Sequence, residues 1–119
     1  MQNYQRYRVW KEAQKLADDV YRFSTSLPQN QSGELQSQLR RVATLLPENL
    51  AENSAGKIEP DSGRFIVDSL DSLNELESLF FLSRKMGFAN QARIDPTLTK
   101  LGSVKKQVIA LRKTLVAIK

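Results

Sequence analysis

The sequence contains no cysteine and no histidine. Without them the chain cannot build a Cys/His zinc site, a structural disulfide, a Ser-His or Cys-His nucleophile pair or an imidazole general base. Most enzyme classes are thereby disfavoured, and no cofactor is expected. Glycine and proline number only 5 and 4 among 119 residues, which argues against long-range disorder. No apolar run reaches the 18 residues a membrane span needs. The opening MQNYQRYRVWK has no signal-peptide core. The expectation is a protein of a reducing compartment, the cytoplasm, that does not engage a membrane.

What is present is an ordinary globular composition, 40% hydrophobic and 26% charged. A chain of this length buries roughly two-thirds of its unfolded surface, enough for one core and one domain over 1–119. The net charge of +5 is unevenly spread. Residues 89–119 hold seven cations against one carboxylate, whereas 60–88 hold three against five. A localised anion-facing surface is one reading of that asymmetry, and a solvated basic helix is the other.

Four segments carry helical periodicity, and Pro, Gly, Asn and Ser gather between them. The first, 4–26, repeats Val9, Ala13, Leu16, Val20, Phe23 and Leu27. The second, 33–54, repeats Leu35, Leu39, Val42 and Leu46, with Ser32 as its expected N-cap and a kink expected before Pro47. The third, 61–86, should be capped by Asp61 or Ser62 and closed by Gly87-Phe88. The fourth, 95–118, opens on Asp95-Pro96, with a short turn from Asn90 before it, and carries Leu101, Val104, Val108, Leu111, Leu115 and Ile118. No segment alternates as a strand does. The expected fold is all-α, an up-down-up-down antiparallel four-helix bundle.

Three groups of residues are candidates for function. On the fourth helix Lys105/Lys106, Arg112/Lys113 and Lys119 recur at intervals near seven, with Lys100 upstream, so they form a cationic stripe beside the apolar seam. Such a row can contact successive phosphates of RNA or DNA with little regard to sequence. The competing reading is a face kept polar for solubility, since no aromatic side chain lies among these cations to stack a base. Leu79, Phe80, Phe81 and Leu82 are four consecutive large apolar residues that cover every face of a helix. One bundle covers one side, so the patch predicts a second packing surface, most economically another subunit or a protein partner. Arg40, Arg41, Asn49 and Glu52 on the second helix, with Ser72 and Glu75 on the third, form an expected polar network that fixes helix register. An oxygen-only magnesium site at Glu52 and Glu75 is the poorer reading, and no metal is expected. Trp10 and Tyr7 are expected to fill the end of the bundle rather than to offer a stacking platform.

The run Tyr7-Arg8-Val9-Trp10, then Gln38-Leu39-Arg40-Arg41-Val42-Ala43, Asn49-Leu50-Ala51-Glu52 and Ser72-Leu73-Asn74-Glu75 resembles the bacterial four-helix bundle proteins called 23S rRNA intervening-sequence proteins. The resemblance spans all four helices. It implies a single-domain bundle that assembles as a homo-oligomer, typically a pentamer. It also implies a fold similar to the accessory variability determinant of diversity-generating retroelements, which binds RNA and a reverse transcriptase. The family name records a genomic location more than a demonstrated activity. The functional expectation is a non-enzymatic homo-oligomer that binds nucleic-acid backbone through its last helix, and the alternative is an interaction or assembly adaptor.

Overall fold

Helix α1 spans Tyr4–Thr25, α2 Gly33–Leu50, α3 Arg64–Lys85 and α4 Gln91–Ile118. The computed structural model describes residues 4–51 and 63–118, the last four as backbone only. Each helix packs antiparallel on its neighbour in sequence, and α4 returns to pack on α1, while the backbones of the diagonal pairs stay apart among the described residues. The expected up-down-up-down bundle is the observed one.

The seam is built from the residues whose spacing predicted it. Val9, Ala13, Leu16, Val20 and Phe23 of α1 face Leu35, Leu39, Val42, Leu46 and Leu50 of α2, and all are buried. On α3 the buried positions include Phe65, Ile66, Leu73, Leu76 and Phe80, and on α4 Ile94, Leu101, Val104, Val108 and Leu111. Phe23 and Phe80 meet with ring centroids 4.8 Å apart at 51°, joining α1 to α3 across the core. The serines that enter this interior turn their hydroxyls onto their own helices: Ser69 donates to the Phe65 carbonyl and Ser83 to that of Leu79. Among the described residues no buried side-chain polar atom lacks a partner.

A helix leaves its last carbonyls unpaired, and here two helices satisfy each other. At the end of α1, buried Gln36 of α2 donates its amide to the carbonyls of Ser24 (2.9 Å) and Leu27 (3.2 Å). At the end of α2, Arg6 of α1 donates Nε to the Leu50 carbonyl (3.0 Å) and Nη2 to that of Ala51 (2.9 Å). The same guanidinium lies over the Phe65 ring, 3.7 Å from its centroid, and so reaches α3 as well. Helix α3 stops in a Schellman motif, as Gly87-Phe88 predicted: the Phe88 amide donates to Ser83 and that of Gly87 to Arg84, with Gly87 at φ +81°.

Several local expectations are corrected. Ser32 precedes α2 but makes no side-chain cap; its hydroxyl donates back to the Pro28 carbonyl instead. Helix α2 continues through Pro47 as expected, but ends at Leu50, where Ala51 turns extended, four residues short of the predicted end. Helix α4 starts at Gln91 rather than Asp95, because the Asn90 side chain accepts the Arg93 amide at 3.0 Å and caps the helix there. Pro96 therefore lies inside the helix. The proposed caps Asp61 and Ser62 lie outside the described residues. Tyr7 does not fill the bundle end but is half exposed, stacked at 5.8 Å on the partly buried Trp10.

Replacing Arg6 with alanine removes two charge-assisted hydrogen bonds and a ring contact at once. A destabilisation of about 2–3 kcal/mol is expected in denaturant unfolding at neutral pH. Arg6→Lys should recover less than half of it, since an ammonium cannot serve two carbonyls and a ring face together. A loss below about 0.5 kcal/mol for the alanine variant would show that the end of α2 needs no such partner.

Candidate nucleic-acid interface

The cations of α4 do not form one line. Positions seven apart on an α-helix differ by only about 20°, so Lys105 and Arg112 share one row and Lys106 and Lys113 a second. Lys105 borders α3, where its ammonium donates to Asn74 Oδ1 at 2.7 Å. Lys106, Arg112 and Lys113 are exposed. Among the described residues none of the four cations has a carboxylate within ion-pair distance. Lys119 lies outside the described residues.

Lys100 is set apart from these rows. It lies about 140° around the helix from Lys105, on the edge that meets α1, and its ammonium is paired with Asp19. Asp19 also accepts from Arg22, one turn along α1, at 2.7 Å. Lys100 is thus part of an interhelix ion pair with its own carboxylate.

The apolar run on α3 divides in two. Leu79 and Phe80 belong to the bundle's own core and are 6% and 0% exposed, so they are withdrawn from any partner while the fold is intact. Phe81 and Leu82 stay 40% and 43% exposed, with Met86 beyond them. The helical turn separates them by 100° per residue: two of the four positions point inward because α3 already has α2 and α4 on its flanks. An interface test on Phe80 would therefore remove core, at a cost of about 3–5 kcal/mol, and would say nothing about assembly.

The polar network forms in part. Arg41 pairs with Glu75 at 2.7 Å, and the Asn49 amide reaches the Ser72 hydroxyl at 3.5 Å, so both link α2 to α3. Arg40 turns the other way: its Nε donates to Ser24 Oγ at 2.9 Å and its guanidinium covers the Tyr21 ring of α1. Adjacent arginines on a helix point 100° apart, which sends them to different neighbours. Glu52 lies outside the described residues. Among the described residues no three acidic side chains gather into a metal-holding group, and no helix is long and apolar enough to cross a membrane.

Among the described residues Lys105, Lys106, Arg112 and Lys113 make no cation–π contact, whereas Arg93, at the start of α4, lies over Phe23. Trp10 and Tyr21 of α1 line an open groove of about 390 Å³ against Ala43 and Pro47 of α2, with Asp18 and Glu48 at its edges. Carboxylates at that position repel a polyanion. Sequence reasoning missed Arg22 and Arg93, which flank Asp19 and Lys100; the signal for Arg93 was its i, i+4, i+7 relation to Thr97 and Lys100.

Burial pushes the Asp19 carboxyl up, but hydrogen bonds and charge attraction from Lys100 and Arg22 outweigh it, and the group titrates below its ordinary value of 3.8. A carboxyl with a lowered folded-state pKa stabilises the fold above its unfolded value and loses that contribution as pH falls below it. Asp19→Asn is expected to cost about 0.5–1 kcal/mol at pH 7, where the two cations are partly solvated. Thermal melts across a pH series should show the gap between the native protein and this variant constant near neutrality and closing below about pH 3.8. A gap that widens with acid would refute the ion-pair account.

Comparison with known proteins fits the same bundle. No curated protein gives a significant match to the chain. The family model described as 23S rRNA-intervening sequence protein matches residues 5–110, which takes in almost all of the four helices and both the Arg40-Arg41 and Asn49-Leu50-Ala51 runs. On that coverage the chain belongs to the 23S rRNA-intervening sequence protein family.

Proposed function

We propose that this protein is a non-enzymatic binding module that assembles with copies of itself and holds the backbone of RNA or DNA along α4. The observation that carries the reading is a pair of cationic rows on that helix: Lys106, Arg112 and Lys113 are exposed, and among the described residues neither they nor Lys105 meets a carboxylate. A cation without a carboxylate partner keeps its full charge for a polyanion's phosphates, and Lys106, Arg112 and Lys113 are such cations among the described residues. The two pairs stand about 10.5 Å apart along a rigid helix, and assembly would multiply the row. Lys100 is left out of this contact surface because it faces about 140° away from Lys105, on the edge that meets α1.

A second reading rests on Phe81, Leu82 and Met86. Their exposure on the last turns of α3 supports a face that meets another chain, which in a pure adaptor would be the whole function. Both readings need that face covered, and only the first needs the cations.

Retention of a structured RNA measured at several salt concentrations separates them. The logarithm of affinity should fall against the logarithm of salt with a slope of about −3 per four cations engaged. Lys106→Ala, Arg112→Ala and Lys113→Ala together should flatten that slope to about −1 and weaken binding at least about tenfold at low salt. Equal retention by the triple variant would overturn the nucleic-acid reading. For assembly, Phe81→Ser with Leu82→Ser should shift the sedimenting species toward the monomer while helical content is unchanged, and an unaltered profile would remove this face from the interface.

A further inference from the structure

The α1–α4 edge holds a second cationic site, separate from the α4 row. Between the last turns of α1 and the start of α4 lies a cavity of about 290 Å³ whose polar lining is Asp19, Arg22, Arg93, Thr97 and Lys100, with the Phe23 ring behind them. Three cations surround one carboxylate. Asp19 divides its oxygens between two of them: Oδ1 accepts from Arg22 Nη2 at 2.7 Å, and Oδ2 accepts from Lys100. Its side chain is only 19% exposed, whereas those of Arg22 and Lys100 are 76% and 54% exposed. The carboxylate thus lies beneath the two cationic heads and fixes where they stand, with donors left over on both. Arg93 completes the ring. Its guanidinium lies 6.0 Å from the Phe23 centroid and meets no carboxylate among the described residues.

We propose that this cavity binds a phosphate monoester as its dianion. Three cations and one carboxylate leave a local charge of +2, which a monoester dianion neutralises and a diester, with one negative charge, does not. Two arginines present planar donor pairs that match phosphate oxygens, and Lys100 adds a third centre. The Thr97 hydroxyl is a further donor at the same wall. Buried Phe23 forms the floor of this open cleft, beneath the solvent-facing heads of Arg22 and Lys100. The ligand is a terminal phosphate, carried either by a free nucleotide or by the 5′ end of an RNA strand. The site does not rest on the α4 reading, because Lys100 faces about 140° away from Lys105.

The test is a titration of the full chain, followed by the backbone amide resonances of residues 93, 97 and 100, with inorganic phosphate at pH 7.5. Saturable shifts at these positions below about 10 mM phosphate are expected. AMP should bind likewise, and its cyclic 3′,5′-diester about tenfold more weakly. Arg93→Ala should weaken phosphate binding about tenfold with the melting temperature unchanged, since its guanidinium supports no described hydrogen bond, and Arg93→Lys should restore part of it. Absence of saturable shifts, equal binding of the diester, or undiminished binding by Arg93→Ala would each overturn the proposal. Comparing one oligonucleotide with and without a 5′-phosphate identifies the source: a gain from the phosphate assigns an RNA end, and binding of AMP without such a gain assigns a nucleotide. The triple alanine variant of Lys106, Arg112 and Lys113 should keep the phosphate shifts while losing RNA retention, so the two sites can fail separately.

Discussion

The constraint on which the bundle depends is the pairing of helix ends. Four antiparallel helices packed through apolar stripes can slide along one another by a turn with little change in buried area, so burial alone leaves the register loose. Arg6 and Gln36 remove that freedom between α1 and α2, because each seeks carbonyls at the end of the opposite helix and finds them at one setting only. A buried carbonyl without a donor costs about 1–3 kcal/mol, so a slipped register is penalised at both ends together. With Arg6 also resting on Phe65, the start of α3 is set by the same side chain.

That fixed frame also sets which surfaces of α4 face its neighbours and which face outward. Among the described helices α4 packs on α1 and α3, and Lys106, Arg112 and Lys113 lie on the exposed part of its surface. Its α1 edge is locked by Asp19 and Lys100, and its α3 edge by Lys105 and Asn74. The exposure of Lys106, Arg112 and Lys113 follows from this division: edge cations join helices, and the outer ones meet no carboxylate among the described residues. Asp18 and Glu48 lie at the α1–α2 groove and Glu75 pairs with Arg41 between α2 and α3, away from the outer cations of α4.

Helix number, order and core were legible because they rest on periodicity, and periodicity depends only on neighbours in sequence. Val9 through Phe23 and Leu101 through Leu111 could be assigned to the interior without knowing what they would meet. The Gly87-Phe88 stop was legible for the same reason. What failed depended on a second element. Leu79 and Phe80 looked like surplus apolar surface until α2 and α4 flanked them; Arg40 looked like the twin of Arg41 until the two separated toward different helices; and Lys100 looked like the head of a stripe until Asp19, 81 residues earlier, appeared beside it. Asn90 is the exception. Its capping role was local and readable, but Asp95-Pro96 offered a stronger signal and displaced it.

The ring of neighbours has one joint unlike the rest. Between α1 and α2 the Arg40–Ser24 contact closes only 16 residues, whereas the α1–α4 contacts Lys100–Asp19 and Thr114–Gln5 close 81 and 109. Closing the longer loops costs about 1.4–1.7 kcal/mol more in chain entropy. Hairpins of sequential helices can therefore form before this joint, and the bundle opens most readily along it, as a hinged row of rods whose two outermost members part first.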